Sequence, residues 1–175
     1  TLISTVRGIP QIYYGSEIGM RGDKSKGDAD IRRDFPGGWK GDPQNAFNPA
    51  TQTAEQKDFH DFTQKVLTWR KGKDVIHTGK TKHYMPKDKV YVYFRYNDSV
   101  VGASRDLSKK NATNEKVMVV INNNEKEQTF DLSRFAESLD GVSAGKDIIS
   151  GKDFVVNSKN KLTVSGKSSL ILELK

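Results

Sequence analysis

Cysteine is absent from this chain of 175 residues, and its absence excludes several kinds of site at once. Without cysteine there can be no disulfide, no thiolate nucleophile and no metal site built on sulfur ligands. No apolar run approaches the roughly 18 residues that a membrane-spanning helix needs. The three histidines, His60, His77 and His83, are dispersed and lack the spacing of metal ligands. The chemistry of the chain therefore has to come from its carboxylates, cationic side chains, hydroxyl groups and aromatic rings.

Acidic side chains are the scarcer charged class, because 29 lysines and arginines face 22 aspartates and glutamates, a net charge of +7. Much of the excess lies between Arg70 and Arg95, at irregular spacing and without a recognised nucleic-acid-binding motif. A solvated basic surface explains these lysines better than a binding site for a polyanion. We therefore expect no nucleic-acid partner.

The stretch over residues 7–20 is predicted to contain one short strand. Residues 2–6 are typical of the end of a helix, and Pro10 cannot continue that helix. The β-prone residues 11–14 follow, and Gly15 ends them. A buried strand between a helix and a loop is one βα unit and not a self-contained fold.

Residues 53–71 have the clearest helical pattern in the chain. Thr53 and Gln56 have the spacing of a capping box, in which each side chain bonds the backbone of the other. An apolar face follows at intervals of three and four residues. The members of this face are Phe59, Phe62, Val66 and Trp69.

After Gly72 the hydrophobic period changes from that of a helix to that of a strand. Several short strands without an intervening long helix predict an antiparallel β-sandwich. The predicted strands cover residues 89–96, 117–121, 128–132, 148–149, 154–156, 162–164 and 169–174. Asn122 and its neighbours are expected to turn the chain so that residues 128–132 return beside 117–121. Residues 101–115 form a polar insertion that we expect to be a hairpin tip.

Two motifs in the first half resemble the α-amylase family, glycoside hydrolase family 13. The sequence GIPQIYYGSE, over residues 8–17, resembles the eighth barrel strand of that family, where the pattern GxPxxYYGxE recurs. The sequence DADIRRDFPGGWKGDPQNAF, over residues 28–47, resembles the neopullulanase and cyclomaltodextrinase branch, and most closely Bacteroides-type neopullulanases.

The resemblance implies an α+β architecture for this chain. Residues 1–72 would be the end of the catalytic barrel, namely the last βα unit of a TIM-type (β/α)8 barrel with its substrate-side loop. Residues 73–175 would be the C-terminal β-sandwich domain. The family's catalytic carboxylates come from strands four, five and seven, so the resemblance implies a C-terminal portion without catalytic residues. The remainder of the barrel, upstream, would be its partner.

The resemblance also implies a substrate-binding wall. The active site of such a barrel lies at the C-terminal ends of the strands, so the loop after Tyr14 would face the substrate. Asp28 and Arg32 match an acid and an arginine that contact glucose hydroxyls in the neopullulanase-like branch. Carboxylate and guanidinium suit that task, since one accepts hydrogen bonds and the other donates a rigid fork. The alternative for this pair is an exposed salt bridge.

Three further residues are candidates for contact with the sugar. Trp39 could stack on a pyranose ring, although anchoring the loop is an equal alternative. Tyr14 could pack under the sugar or fill the barrel. Glu17 could contact the sugar or bond the loop backbone or an arginine. No cofactor is expected, and a calcium site on Asp23, Asp28 and Asp30 is a weaker alternative because the loop does not fit the EF-hand pattern.

These features predict that the chain belongs to a hydrolase that cleaves α-1,4 links in maltodextrin, pullulan or cyclodextrin, a bacterial enzyme of the periplasm or cytoplasm. The alternative is a stand-alone carbohydrate-binding or adhesion-type β-sandwich. A row of exposed aromatic rings on the sandwich would favour that alternative, and Tyr91 and Tyr93 are its candidates.

Overall fold

The computed structural model of this protein describes residues 1–97 and 115–175. Contacts divide the chain into two compact units, one formed by Thr1–Ile9 with Trp69–Lys175 and the other by Pro10–Thr68. The predicted division at residue 72 instead grouped residues 1–9 with residues 10–72. Most of the predicted insertion at 101–115 lies outside the described residues. In the described residues no helix is both long and apolar enough to cross a membrane.

Antiparallel strands build the unit that contains Trp69–Lys175. They are β1 (Lys80–His83), β2 (Val90–Tyr96), β3 (Lys116–Asn122), β4 (Gln128–Asp131), β5 (Ala144–Asp147), β6 (Asp153–Val155), β7 (Lys161–Val164) and β8 (Ser168–Leu174). In the described part of the chain, β1, β2, β3, β8, β5 and β6 form one sheet in that order, and β4 pairs with β7 in a second. Buried residues of both sheets share one hydrophobic core, which confirms the predicted sandwich. Phe94, Met118, Leu162 and Leu172 are among its members.

Strand β2 has the predicted alternation, but both of its faces are covered. Val92 and Phe94 lie in the core as expected. Tyr93 and Arg95, on the opposite face, are also fully buried. Arg95 donates hydrogen bonds to the carbonyls of Thr5 at 3.0 Å and Gly79 at 2.7 Å. Thr1–Ile9 therefore covers the side of the sheet that faces away from the sandwich core.

The prediction that residues 128–132 return beside β3 is wrong. Strand β3 already has β2 on one side and β8 on the other, so no edge is left for a further strand. The buried Asn122 amide donates to the carbonyls of Lys126, Val164 and Ser165, at 2.9 to 3.1 Å. These bonds direct the chain away from β3, and β4 pairs with β7 instead.

Residues 148–149 are not a strand either. Strand β5 ends at Asp147, whose buried carboxylate accepts hydrogen bonds from the backbone and hydroxyl of Ser150 at 2.8 and 2.7 Å. The same carboxylate accepts from the Ile171 backbone at 3.0 Å. A side chain that bonds the backbone three residues later favours a turn over an extended strand.

Three helices are described besides short 3-10 turns: α1 (Leu2–Thr5), α2 (Ala54–Lys71) and α3 (Asp74–His77). The capping box of α2 is confirmed. The Gln56 backbone donates to Thr53 Oγ1 at 3.2 Å, and the Thr53 backbone donates to Gln56 Oε1 at 2.9 Å. Val66, on the predicted apolar face, is buried, whereas Phe59 near the start of the helix is partly exposed.

The predicted strand at residues 11–14 is not formed. This stretch is irregular and leads into a 3-10 helix, Ser16–Ile18. A parallel strand in a barrel takes its backbone hydrogen bonds from two neighbours, and none of the described strands lies beside these residues. The assignment of residues 1–72 to a barrel therefore stays a prediction.

Candidate functional site

The structure brings Asp28 and Arg32 together. Arg32 Nη2 lies 3.5 Å from Asp28 Oδ2, and the two side chains are 62% and 51% exposed. The Lys24 ammonium bonds the other carboxylate oxygen of Asp28. Oxygen acceptors and guanidinium donors thus stand side by side at the surface of the loop, where a hydroxylated ligand can reach both.

Asp30 and Arg33 form a second acid–arginine pair that the sequence did not single out. The Arg33 guanidinium bonds Asp30 Oδ1, and the Asp23 backbone donates to Asp30 Oδ2 at 2.5 Å. These two bonds hold the pKa of Asp30 below its ordinary value, and the bond from the Asp23 backbone has the larger effect. The i,i+3 spacing across the 3-10 helix Asp30–Arg32 was the available signal. Asp30 fixes the loop, whereas Asp28 faces outward.

Tyr14 supports the same loop. Its hydroxyl donates to the carbonyl of Arg33 at 3.0 Å, so it anchors the backbone of the loop. Beside it lies a pocket of about 70 Å³. The pocket is lined by Tyr13, Tyr14, Ser16, Met20, Arg21, Gly22, Asp30, Ile31 and Arg33. The other four predicted site residues do not line it.

Gly22 allows the loop to fold onto itself. A Cβ atom at this position would lie 2.6 Å from the Asp30 carbonyl oxygen and 2.7 Å from the Ile31 Cα. Both neighbours are backbone atoms, which cannot move aside as a flexible side chain would. A glycine is therefore required for the approach that places the 3-10 helix Asp30–Arg32 beside Tyr14.

Trp39 is free for contact, since its side chain is 67% exposed. The loop around it is held by other groups. The Asp42 carboxylate accepts from the backbones of Gly37 at 2.8 Å and Trp39 at 3.2 Å. The rings of Phe35 and Phe47 pack with their centroids 4.5 Å apart. Asp42 therefore holds the backbone of this turn, and Trp39 keeps an open ring face.

Glu17 lies in the 3-10 helix Ser16–Ile18 and is partly buried. The alternative to sugar contact was a bond from its carboxylate to the loop backbone or to an arginine. In the described part of the chain it makes neither contact. Its role as a sugar contact stays a prediction.

The carboxylates proposed as calcium ligands are occupied by other groups. Asp23 accepts from the backbone and hydroxyl of Ser25 at 2.9 and 2.7 Å. Asp28 and Asp30 bind cationic side chains, as described above. Among residues 1–97 and 115–175, no group of three or more acidic or histidine side chains is arranged to hold a metal ion. The calcium alternative gains no support from this geometry.

The aromatic pair proposed for a stand-alone binding module is not a stacking platform. Tyr91 and Tyr93 have their ring centroids 5.2 Å apart, but Tyr93 is fully buried. Its hydroxyl bonds Thr5 Oγ1, and burial raises the pKa of Tyr93 to about 12. Since Tyr93 packs against the N-terminal segment, it cannot present a ring face to a sugar.

Comparison with known families decides where the chain belongs. Residues 81–173 match the cyclo-malto-dextrinase C-terminal domain. The chain belongs to this family. The match covers β1 to β8 almost completely, so the cyclo-malto-dextrinase C-terminal domain is the β-sandwich described above. It is a C-terminal domain of α-amylase family glycosidases.

Individual relatives agree with this assignment. The chain is 29% identical over 149 residues to an amylopullulanase of Thermoanaerobacter thermohydrosulfuricus, covering 85% of this chain and 8% of that protein. It is 27% identical over 186 residues to alpha-amylase 3 of Dictyoglomus thermophilum, covering 97% of this chain and 32% of that protein. The fold matches an alpha-amylase from Geobacillus thermoleovorans, crystallised with acarbose, with a TM-score of 0.66 and 20% identity. That match covers 99% of this chain and 31% of the amylase.

Proposed function

We propose that this chain is the C-terminal portion of an α-glucan hydrolase that cleaves α-1,4 links in maltodextrin, pullulan or cyclodextrin. Membership of the cyclo-malto-dextrinase C-terminal domain family supports the proposal. So do the two relatives, an amylopullulanase and an alpha-amylase, which match nearly the whole chain. The motifs over residues 8–17 and 28–47 add the neopullulanase-like branch.

The observation that carries the site is the exposed ion pair of Asp28 and Arg32. Its 3.5 Å separation keeps both groups within reach of one sugar ring. Asp28 accepts hydrogen bonds from sugar hydroxyls, and Arg32 donates to the oxygens of the same or the next hydroxyl. Asp30 and Arg33 hold the loop below them. The exposed ring of Trp39 supplies an apolar face that suits the C–H groups of a pyranose.

Bond cleavage is assigned to residues outside this chain. A retaining glycosidase needs two carboxyl groups roughly 5–5.5 Å apart, one as nucleophile and one as acid and base. By resemblance, the family supplies these two groups, and a third acid that helps hold the substrate, from barrel strands four, five and seven. In this proposal the loop around Asp28 binds glucose units away from the bond that is cut, and the β-sandwich completes the enzyme. A periplasmic or cytoplasmic location stays a prediction.

The test is hydrolysis by the longer protein that carries this chain at its C-terminus. Incubation with maltoheptaose, pullulan and a cyclodextrin should release reducing sugar from at least one of them. Proton NMR of the first products should show the α-anomer, because two displacements at the anomeric carbon retain its configuration. No release from any of the three, or a first product in the β-configuration, contradicts the proposal.

A further inference from the structure

A second pocket opens on the β-sandwich, and none of its lining residues belongs to the loop around Asp28. Its volume is about 270 Å³, enough for a single sugar ring but not for a drug-sized ligand. Strands β1, β2 and β3 and the turn that follows Phe135 each contribute to its wall. The lining residues are Lys82, Phe94, Tyr96, Lys116, Glu137 and Ser138.

Hydrogen bonds fix the polar side of this pocket. The Lys116 ammonium donates to the Ser138 carbonyl at 2.8 Å. The Ser138 hydroxyl lies 2.8 Å from the hydroxyl of Tyr84. One bond between two hydroxyl groups uses only one of their two protons, so the pair keeps a donor for another acceptor. An ammonium carries three N–H donors, and in the described residues Lys116 uses one of them. Within the described residues, Lys116 and the Ser138–Tyr84 hydroxyl pair therefore keep hydrogen-bond donors that a ligand can use.

The rim of the pocket adds an acceptor. Lys82 pairs with Glu137, whose side chain is 83% exposed. A carboxylate engaged on one oxygen still has lone pairs for the hydroxyl groups of a ligand. The aromatic side chains of Phe94 and Tyr96 form the apolar part of the wall, with Phe94 buried and Tyr96 partly exposed.

We propose that this pocket binds one glucose unit of an α-glucan, as a second glucan-binding position of the chain. The inference rests on the proposed function, which supplies the glucan. A glucose unit presents hydroxyl groups around its edge and C–H groups on its faces. The hydroxyl groups match the donors of Lys116 and of the Ser138–Tyr84 pair, and the acceptor oxygens of Glu137. The C–H groups match the ring of Tyr96.

A neutral sugar fits the charge pattern better than an anion does. Lys82 is already paired with Glu137, so among the described lining residues Lys116 is the one cation without an acidic partner. An anionic ligand could pair with that cation but would leave the acceptor oxygens of Glu137 unused. A hydroxylated neutral ligand can use both groups as hydrogen-bonding partners.

The experiment is an NMR titration of the 15N-labelled 175-residue chain with maltoheptaose. Backbone signals of Tyr96, Lys116 and Ser138 should shift in a saturable way, with a Kd on the order of 1 mM, at the weak end of the affinity scale. Lys116→Met should weaken this binding at least about tenfold, because it removes the charged donor while keeping the apolar stem. Lys159→Met, the same change at an exposed lysine outside the pocket, should leave the Kd unchanged.

Glu137→Gln provides a second variant whose fold is not at risk, since its side chain is on the surface. It should weaken binding at least about threefold, and it decides the matter if Lys116→Met does not fold. The proposal is overturned if the pocket signals do not saturate, or if the folded variants bind as tightly as the unaltered chain. It is also overturned if sodium phosphate at equal ionic strength produces the same shifts without maltoheptaose.

The Arg32→Ala chain separates this inference from the proposed function. Pocket signals should respond to maltoheptaose in that variant as they do in the unaltered chain. If, in the unaltered chain, signals of the loop around Asp28 respond to maltoheptaose and those of the pocket do not, the second site is wrong and the proposed function stands. If the pocket responds and the loop does not, the pocket stands and the assignment of Asp28 and Arg32 is wrong. If neither responds in the unaltered chain, both proposed binding positions are wrong, and the reducing-sugar assay on the longer protein still tests the hydrolase function separately.

Discussion

The indole Nε1–H of Trp69 donates a 2.6 Å hydrogen bond to Oε1 of Glu173, which joins the last turn of α2 to β8. The Lys73 ammonium lies 2.6 Å from the same oxygen. Burial by itself raises the pKa of Glu173, but the hydrogen bonds from Lys73 and Trp69 outweigh burial and lower it below 4.5. The charged form of Glu173 is therefore favoured in the folded protein.

This lowered pKa predicts how stability depends on pH. A carboxylate whose pKa is lower in the folded state stabilises the fold above its unfolded pKa, near 4.5, and that stabilisation is lost as pH falls through the folded value. Thermal unfolding followed by circular dichroism should give a Tm for Glu173→Gln well below that of the unaltered chain at about pH 7. The difference in Tm should narrow as pH is lowered below the unfolded pKa of 4.5. Glu125→Gln, at a side chain that is 83% exposed, is the matched control and should show almost no gap. A gap for Glu173→Gln that is constant with pH would contradict the assignment.

Arg95 is expected to be one of the most sensitive positions in the sandwich. Its guanidinium is fully buried and donates to the carbonyls of Thr5, Gly79 and Lys80. Arg95→Met keeps the apolar stem but leaves buried carbonyl oxygens without a donor, at roughly 1–3 kcal/mol for each. Because three carbonyls lose their donor, we expect the free energy of unfolding in urea to fall by at least about 3 kcal/mol.

The control is the same change at an arginine on the surface. Arg134 donates to the Met85 carbonyl at 2.7 Å, but the bond is exposed and water can replace it. Arg134→Met should therefore change the free energy of unfolding by less than about 0.5 kcal/mol. Equal losses for the two variants would show that burial of Arg95 is not what makes its hydrogen bonds important.

Features set by neighbouring residues could be predicted from the sequence. The capping box of Thr53 and Gln56 and the alternation of β2 depend on spacings within one element. The pairing of β4 with β7 could not be predicted, because it depends on β3 already having two neighbours and on the reach of Asn122 across the chain. The strand expected at residues 11–14 failed for the same reason, since a strand exists only where a partner supplies its hydrogen bonds.

The two proposed binding positions differ in the same way. Asp28 and Arg32 lie four residues apart, so a short motif could indicate the pair, and the structure places them in contact. The pocket on the sandwich joins Lys82, Lys116 and Glu137, which are far apart in sequence and meet only through the sheet order. Arg95 gave a misleading signal, because a charged residue in an alternating strand usually faces water. Here Thr1–Ile9 covers that face.

The 175-residue chain should release no reducing sugar from maltodextrin or pullulan. Asp28 and Asp30 are paired with cations, and the proposed function assigns the nucleophile and the acid to residues outside this chain. Without a nucleophile the covalent intermediate cannot form. A reducing-sugar assay at high protein concentration, compared with a sample without protein, checks this. If reducing sugar is released above that control but the release disappears after the chain is purified to a single species, a contaminating enzyme is responsible. If the release persists after purification, the prediction is wrong.

Arg32→Ala in the longer protein should weaken action on long substrates more than on short ones. The change removes a charged donor from the sugar hydroxyls, and a hydrogen bond to a charged group contributes ~1.5–3 kcal/mol, so kcat/KM on maltotriose or pullulan should fall roughly 10- to 150-fold. Aryl-glucosides too short to reach the loop should lose less than about tenfold. Arg134→Ala is the matched control, because Arg134 is an exposed arginine that lies outside the loop around Asp28. It should leave both substrate classes nearly unchanged. Equal losses on short and long substrates would falsify the outer binding position, and a large fall in Tm would identify the pair as a structural salt bridge instead.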